Sequence, residues 1–375
     1  MDSFGLMTIG VTLIYVLLGE RMVNVRKMYM ATREQVKNHL PNCVPLKNLN
    51  NGAEDITVFG DGLALISSDL LQKSKSKIIC MTPLFSSGLK YPGIPSSDAP
   101  GKIFLLNLKD SEMEPVELLI SKNFDLKTFN PHGISVYTDA TNGTVYLFVV
   151  NHPHHNSQVE LFEFVEEEHF LVHLKTFKHK LLYSVNDIVA FGVDRFYATN
   201  DHYFSNELIK TIVEPLLGQP GANVVYYSPE TVKVVSEGYH FANGINVSPD
   251  KRHIYVTDIF AHNVHVLERK DDNALVSVKS ILLGSLCDNI EVDPKTGDLW
   301  IGCLPNAWKV FHFDPKDPPG SEVVRIQNIH SDDPLVTQVY ADDGHVIMSS
   351  SVATIYGSKL LIGSVFHKAL CCELE

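Results

Sequence analysis

A short two-strand unit recurs along this chain, and no other feature limits the fold as strongly. The clearest copy runs from Cys287 to Cys303: apolar residues alternate at Ile290 and Val292, a Pro-Lys-Thr-Gly-Asp turn follows, and a second run is rich in β-forming residues. Each copy opens on polar side chains. The clear copies begin at Glu54, His132, Asn186, Asn243 and Asp288-Asn289, and a degenerate sixth runs from Thr337-Gln338-Val339 to Leu360-Leu361-Ile362-Gly363.

The spacing of these copies predicts an all-β, six-bladed propeller over residues 39–375. The clear copies after the second lie about 45 to 57 residues apart, which is the length of one four-stranded blade. In a propeller the innermost strand of every blade lies at a common axis, so the polar residues that open the copies form a ring. Its members are Glu54, His132, Asn186, Asn243, Asp288 and Asn289.

This ring predicts a calcium site. Carboxylate and carboxamide oxygens are hard ligands that suit Ca²⁺ better than Zn²⁺ or copper. For a single copy, Asn, Asp and Gly are better explained as turn residues before a strand. Their recurrence in phase in five copies favours the metal.

Size and charge are those of an ordinary globular protein. The 375 residues are 45% hydrophobic and 20% charged, so one large domain accounts for the chain. A net charge of -13 argues against a nucleic-acid partner and is compatible with cation binding.

The first 38 residues are predicted to form a hydrophobic signal-anchor followed by an amphipathic helix. Phe4 to Leu18 is an uncharged, mostly apolar run without a basic segment before it or a small-residue cleavage site after it, which favours an uncleaved anchor. Met22, Val25 and Tyr29 share a helical face beside basic residues, as in a helix lying on a membrane or lipoprotein surface. The alternative is a helix packed against the propeller.

Six cysteines indicate an oxidising compartment. Cys43 precedes the first copy, and Cys371 and Cys372 follow the last, so a bridge from Cys43 to either would tie the termini together. The body is therefore expected to be secreted, extracellular or lumenal, although the basic residues after the anchor favour the opposite orientation. The sequon at Asn142 predicts a glycoprotein, whereas that at Asn246 falls in a predicted buried strand.

Beyond these patterns, the chain resembles the vertebrate paraoxonases (serum paraoxonase/arylesterase, lactonase) along nearly its whole length. The resemblance implies a six-bladed propeller with two calcium ions in its central tunnel, a retained hydrophobic N-terminus and a disulfide that joins the ends. The motifs that carry it lie at 40–43, 54–55, 89–93, 129–135, 150–153, 199–204, 241–246 and 368–370.

The resemblance also assigns residue roles. It implies that one ion is catalytic and the other structural, that His132 and His152 form a histidine pair, that Cys43 and Cys372 are bonded, and that Cys303 is a free thiol. In this pair we expect His132 to take a proton from water, since imidazole titrates near neutrality, and Glu54 is a rival base because it would contact both metal and water. The catalytic ion would be held by Glu54, Asn186, Asn243, Asp288 and Asn289, and the structural ion by Asp55, Asp187 and the backbone of Ile134.

One segment departs from the family pattern. Residues 69–86 form an extra stretch with near-duplicate flanks, as an inserted segment would, and they precede Tyr91, whose family counterpart lies on a loop over the site. Leu304 replaces a histidine usual in the family, and Cys371 takes an aromatic position from which it competes for Cys43.

The sequence thus predicts a calcium-dependent hydrolase of lactones and aryl esters, with organophosphates as a side activity and a membrane or lipoprotein surface as partner of the N-terminus. Calcium would activate the carbonyl as a Lewis acid for attack by water. The alternative is a non-catalytic, calcium-stabilised propeller that serves as a lipoprotein or membrane interaction module.

Overall fold

Six antiparallel sheets arranged around one axis make up the molecule. The computed structural model describes residues 19–49, 52–68, 100–204, 206, 209–311 and 313–374. Each sheet has four strands except the second, which gains a short parallel strand at its outer edge. The innermost strands of neighbouring blades contact each other around the whole ring. The predicted six-bladed propeller is confirmed.

The strands are numbered in chain order. Blade 1 contains β2 (Asp55–Phe59), β3 (Leu63–Ser68), β4 (Lys102–Asn107) and β5 (Val116–Glu117); blade 2 contains β6 (Leu119–Ile120), β7 (Pro131–Thr138), β8 (Val145–Asn151), β9 (Gln158–Val165) and β10 (Phe170–Phe177); blade 3 contains β11 (Val185–Gly192), β12 (Arg195–Asn200), β13 (Ala222–Tyr227) and β14 (Val232–Tyr239). Blade 4 contains β15 (Ala242–Val247), β16 (His253–Asp258), β17 (Asn263–Arg269) and β18 (Leu275–Leu282); blade 5 contains β19 (Leu286–Val292), β20 (Leu299–Leu304), β21 (Ser321–Gln327) and β22 (Leu335–Asp342); blade 6 contains β23 (Ser350–Tyr356), β24 (Lys359–Ser364), β25 (Leu370–Glu373) and β1 (Val44–Pro45).

The core lies between neighbouring blades. Second strands such as β16 are covered on both faces and are almost entirely buried, whereas the outermost strand of the same blade, β18, is largely exposed. Aromatic side chains join blades 2 and 3, where Phe148 lies 6.0 Å from Phe196 between ring centroids. Apolar runs in the inner strands and polar residues at the rim follow from this layering.

The ring is closed by the N-terminal segment. β1 pairs with β25 so that Val44 lies opposite Cys371, and Cys43 is bonded to Cys372. The implied Cys43–Cys372 disulfide is confirmed, and Cys371 remains a buried free cysteine. A bond across a loop this long stabilises mainly by restricting the unfolded chain.

Two expectations about blades 5 and 6 were wrong. Thr337, Gln338 and Val339 belong to β22, the outermost strand of blade 5, and the innermost strand of blade 6 is β23; only the second half of the degenerate copy, in β24, was placed correctly. Cys303 is not a free thiol, because it forms a disulfide with Cys287 on the neighbouring strand.

Helices lie at one end of the propeller. Helix α1 is described over residues 19–28, α2 spans Glu214–Leu217 after a π-helical turn at Ile209–Val213, and α3 spans Ala307–Phe311. Short 3-10 turns occupy Leu126–Thr128, Pro153–His155 and Glu166–Glu168. Within the described ranges, no helix has both the length and the apolar character that a membrane crossing requires. The predicted anchor at 4–18 and the inserted segment at 69–86 lie outside the described residues.

After α1 the chain is a strap rather than a continued helix. Met30 forms a β-bridge with Asn306, and Asn38 forms one with Ala341. Arg33 forms an ion pair with Glu322, whose side chain is fully buried. The strap therefore ties α1 to blade 5.

Candidate functional site

Breaks in strand pairing build the site. In blades 2 to 6, two residues near the start of the innermost strand lie opposite a single residue of the second strand, which is the geometry of a β-bulge. In blade 1, Glu54 and Asp55 stand at the equivalent place at the start of β2. The bulged pairs are His132-Gly133, Asn186-Asp187, Asn243-Gly244, Asp288-Asn289 and Ser351-Val352.

Two bulges contain glycine because the neighbouring blade comes too close for a side chain. A Cβ on Gly133 would lie 2.3 Å from Oδ1 of Asp187, and one on Gly244 would lie 2.5 Å from the carbonyl oxygen of Asp288. Gly133 and Gly244 thus let the innermost strands meet at the axis.

Five buried side-chain oxygens in these segments have no hydrogen-bond partner. Four of their residues line one cavity, and the fifth, Asn289, donates from Nδ2 to Oε1 of Glu54 at 2.8 Å. A buried polar atom without a partner costs about 1–3 kcal/mol, so five at one site indicate a place for a ligand. The atoms are Oε2 of Glu54 and Oδ1 of Asn186, Asn243, Asp288 and Asn289.

These five acceptors fit a hard cation. All are oxygens, two from carboxylates and three from amides, and such sets bind Ca²⁺ in proteins. The described part of the chain contains no group of three or more His, Cys, Asp or Glu side chains with metal-binding geometry. Amide oxygens make up most of this set, so the two observations are compatible.

Asp55 and Asp187 join neighbouring blades beside this set. Asp55 accepts the N–H of Ile134 at Oδ2 and of Ile56 at Oδ1, both at 2.8 Å. Asp187 likewise accepts the N–H of Ile245 at 2.8 Å and of Ile188 at 2.7 Å. The structure therefore brings Asp55 and Ile134, two of the residues predicted to hold the structural ion, into contact. Each carboxylate oxygen keeps a second lone pair that can bind a cation.

Crowding of carboxylates makes this centre favourable for a cation. Burial raises the pKa of Glu54 to about 7, and burial together with the charge of Glu54 raises the pKa of Asp55 to about 7. Burial raises the pKa of Asp288 and Asp187 well above the ordinary range, with nearby carboxylates adding to it. A positive charge at the axis would relieve this repulsion.

The two predicted histidines lie together at the edge of the site. The rings of His132 and His152 are 5.4 Å apart at an angle of 78°, and Nε2 of His132 is 3.6 Å from Oε1 of Glu54. Burial lowers the pKa of His152 to about 3, with the charge of His132 adding to the effect. His152 is therefore neutral at physiological pH.

A buried carboxylate network holds the segments that carry this pair, and the sequence reading missed it. Oε1 of Glu160 accepts from Nδ2 of Asn151 at 2.9 Å, and Oε2 accepts from Thr176 at 2.6 Å and lies 3.0 Å from Nε2 of His173. Oδ1 of Asn151 in turn accepts the N–H of Asn130 at 2.9 Å.

This network reaches both histidines through the backbone. Asn151 directly precedes His152, and Asn130 lies two residues before His132. The N–H of His152 also donates to the carbonyl of Asn130 at 3.1 Å. The same strand also carries Gln158 and Glu163, so no sequence signal distinguished Glu160 as the buried carboxylate that needs several donors.

An apolar cavity of about 380 Å³ lies over the unpaired oxygens. Its aromatic wall joins α1 to blade 4: the ring of Phe260 lies 4.8 Å from Tyr29 and 5.0 Å from Phe241. His262 donates from Nε2 to the carbonyl of Met28 at 3.0 Å and so holds the end of α1 over the cavity. The alternative of a helix packed against the propeller therefore describes the end of α1.

A second polar cluster lies in the cavity wall and was also missed. Nδ1 of His202 is 2.6 Å from Oε2 of Glu214, whose other oxygen accepts the N–H groups of Tyr203 and Phe204. Burial opposes the charge of His202, but Asp201 and Glu214 outweigh it and raise its pKa.

Comparisons with known proteins agree with this architecture. A family model described as Arylesterase matches residues 72–374. Serum paraoxonase/arylesterase 2 of Gallus gallus is 52% identical over 360 residues, which cover 96% of each chain. Serum paraoxonase/lactonase 3 of Oryctolagus cuniculus is 47% identical over 368 residues, 98% of each chain. A solved luciferin-regenerating enzyme has a similar fold, with a TM-score of 0.52 and 9% identity over 88% of this chain and 95% of that one.

Proposed function

This chain belongs to the arylesterase family, whose curated relatives are serum paraoxonases, and on that premise we propose that it is a calcium-dependent hydrolase of lactones and aryl esters. Organophosphates are the expected side activity. The observation that carries the proposal is the set of five unpaired, buried oxygens directly beneath an apolar cavity. The oxygens suit a hard cation, and the cavity has room for an ester or lactone of moderate size.

Two cation sites are proposed. The proposed catalytic site would use Glu54, Asn186, Asn243, Asp288 and Asn289, and the proposed structural site would use Asp55, Asp187 and the backbone of Ile134. Calcium held at the catalytic site would supply Lewis-acid polarisation of the substrate carbonyl. The raised pKa values of Glu54 and Asp288 support this assignment, because charged carboxylates are held there only at a cost that a cation offsets.

His132 is proposed to take the proton from the attacking water. It lies beside the cavity with 23% of its side chain exposed, and Glu54 approaches its Nε2. An imidazole next to a carboxylate is suited to accept a proton from water, because the carboxylate stabilises the imidazolium that forms. His152, which is neutral, packs across its ring and orients it. Glu54 is the rival base because it lies within reach of the same water.

The apolar wall is proposed to bind the acyl or aryl part of the substrate. Phe241, Phe260 and Tyr29 face the same cavity as Glu54 and His132. Such a wall excludes water from the reacting centre, which strengthens each polar interaction there. Aryl esters and alkyl-substituted lactones both place an apolar group beside a carbonyl.

The protein is proposed to be secreted or membrane-attached, with an extracellular or lumenal body, because its two disulfides persist only in an oxidising compartment. In α1, Met22 and Val23 are 42% and 53% exposed, beside the exposed Arg26 and Lys27. Exposed apolar residues flanked by bases are typical of a helix that lies on a lipid surface. A membrane or lipoprotein surface is therefore the proposed partner of the N-terminus.

Hydrolysis assays with purified full-length protein test the activity. Turnover of δ-valerolactone and phenyl acetate should be lost in EGTA and restored by added calcium. Asn243→Ala and Asp288→Ala should abolish it, whereas Asp271→Ala, which changes an exposed carboxylate outside the site, should not. A folded, calcium-loaded wild type that is inert would instead support a binding module without catalysis.

A further inference from the structure

A recurring contact holds the chain segment that enters each bulge. The residue just before each bulge pairs with one residue of the second strand. We call the position of that second-strand residue the latch position. In four blades the latch position carries a polar side chain that bonds backbone just before the innermost strand. These residues are Asn151, Asn200, Asp258 and Ser364, opposite Pro131, Val185, Ala242 and Ser350.

Three of the four latches accept backbone N–H groups, and the fourth donates to a backbone carbonyl. Oδ1 of Asn151 accepts the N–H of Asn130 at 2.9 Å, and Oδ1 of Asn200 accepts the N–H of Ser184 at 3.1 Å. In blade 4, Asp258 accepts the N–H groups of two consecutive residues, His240 and Phe241, at 2.8 and 2.9 Å. In blade 6, Ser364 donates to the carbonyl of Met348 at 2.5 Å. Each latch thereby fixes the point from which a bulge leaves the regular ladder.

Blade 5 has no polar side chain at the latch position. Cys303 occupies it, directly opposite Cys287, and the two sulfurs are bonded. Both residues are at most 1% exposed and pack in the apolar core between blades 4 and 5. A covalent bond therefore stands where the other blades have a hydrogen bond.

The bulge that follows this disulfide carries two of the proposed metal ligands. Asp288 and Asn289 supply two of the five unpaired oxygens from consecutive residues. Neighbouring blades contact this bulge and the latch position beside it: Thr257 donates to the carbonyl of Asp288 at 2.7 Å, and Ser350 donates to the carbonyl of Cys303 at 2.7 Å. On the side where the chain enters the bulge, the disulfide adds a covalent bond to the backbone pairing of Leu286 with Leu304.

We propose that the Cys287–Cys303 disulfide is the latch of blade 5, so that Cys287 and Cys303 are positioning residues for the oxygens of Asp288 and Asn289. This inference rests on the proposed calcium site. It differs from a purely stabilising role, because it requires that loss of the bond weaken calcium binding more than loss of the ring-closing Cys43–Cys372 bond does.

A matched pair of variants separates the two roles. Cys287→Val with Cys303→Ala removes the disulfide while keeping the total side-chain volume nearly constant. Cys287→Val with Cys303→Asn differs only at the latch position and reproduces the Val185 and Asn200 pair of blade 3. Cys43→Ala with Cys372→Ala removes the other disulfide and serves as the control.

Calcium affinity is measured by isothermal titration of metal-stripped protein, alongside kcat and KM for a lactone and the melting temperature. The Val/Ala variant should bind calcium about tenfold to 100-fold more weakly, as when residues supporting metal ligands are lost. The Val/Asn variant should stay within about threefold of wild type. The Cys43→Ala, Cys372→Ala control should melt at a lower temperature with unchanged calcium affinity.

The proposal is overturned if the folded Val/Ala variant binds calcium as tightly as wild type. Should that variant fail to fold, the Val/Asn variant decides alone, and calcium binding more than about threefold weaker than wild type contradicts the latch. Failure of the proposed function is distinct, since wild type itself would then fail to bind calcium or fail to hydrolyse lactones.

Discussion

His132 and Glu54 are the two candidates for the proposed general base, and their side chains lie close together. Nε2 of His132 lies 3.6 Å from Oε1 of Glu54, which also accepts from Asn289 at 2.8 Å. One oxygen of Glu54 is engaged in this hydrogen bond and the other suits a cation, so neither is left for a water. His132 lines the cavity in which the substrate is proposed to bind. The geometry therefore favours His132 as the base.

Replacing His132 by glutamine tests this assignment. His132→Gln should lower kcat about 100-fold or more with little change in KM, because glutamine cannot take a proton. His154→Gln, which changes an exposed histidine in the adjacent 3-10 turn, is the control and should leave kcat unaltered. If His132→Gln keeps most of the lactonase activity, the base is not His132, and Glu54→Gln is the variant to measure next.

A second substitution tests the network beneath the histidine pair. Glu160→Gln keeps the shape of the side chain but cannot accept at both oxygens, so Asn151 or Thr176 loses its partner. We expect kcat to fall about tenfold or more through misplacement of the histidines, with calcium affinity unchanged. Glu163→Gln, on the same strand, is the control. Equal effects on kcat and on calcium affinity would point to general loosening of the fold instead.

Sequence reasoning found the residues with recurring polar signatures and missed those without them. Glu54, Asn186 and Asp288 were predicted to converge, and the structure places all three at one cavity. Glu160 was not found, since its role depends on partners from four other positions along the chain. Which residues become those partners is decided by strand register.

At the scale of elements, the bulge is the unit that carries function. Residues of a regular strand alternate between its two faces, but a bulge lets two consecutive residues, such as Asn186 and Asp187, both lie near the propeller axis. Blade 6 has the same bulge but fills it with Ser351 and Val352. Without an acidic or amide pair, its innermost strand gave no signal, and the degenerate copy was started too early.

The Cys287–Cys303 bond could not be read from the sequence for a related reason. Whether two cysteines on a hairpin face each other depends on register, and a single-residue slip reverses every side chain. Here the bulge at Asp288 and Asn289 shifts the register between the two strands. The pairing therefore follows from a feature that spacing alone does not reveal.

The two sequons lie in different elements and should differ in glycosylation. Asn142 is exposed in the turn between β7 and β8, whereas Asn246 lies in the innermost strand β15, where its Nδ2 donates to the carbonyl of Ile290 at 2.8 Å. We expect N-glycan at Asn142 and none at Asn246 in protein secreted from animal cells. Mass spectrometry of glycopeptides measures this, and glycan on Asn246 would contradict the assigned strand.

On the scale of the whole molecule, closure of the ring depends on the segment that joins blade 6 to the N-terminal chain. The carbonyl of His367 accepts the N–H of Gly52, and its Nδ1 accepts the N–H of Met348 at 3.2 Å. Burial lowers the pKa of His367 from 6.5 to about 4, with the charge of Lys368 adding to it. The fold is therefore more stable when the imidazole of His367 is neutral.

Stability should consequently fall with acid. Between pH 6.5 and about 4 the unfolded chain binds a proton at His367 that the folded chain does not, so this contribution is complete above pH 6.5 and declines as the pH falls. Urea unfolding at pH 7 and pH 5 should show a loss that is smaller in His367→Gln by roughly 1–2 kcal/mol. An identical loss in wild type and variant would exclude His367 as a source of the pH dependence.

The central claim is that oxygens from blades 1, 3, 4 and 5 surround one calcium ion at the axis. A crystal structure of the calcium-soaked protein with anomalous diffraction data tests it most directly. The account predicts an ion about 2.3–2.6 Å from the unpaired oxygens of Glu54, Asn186, Asn243, Asp288 and Asn289. A calcium-soaked crystal in which those oxygens bind only water, or in which the ion lies elsewhere, would contradict it.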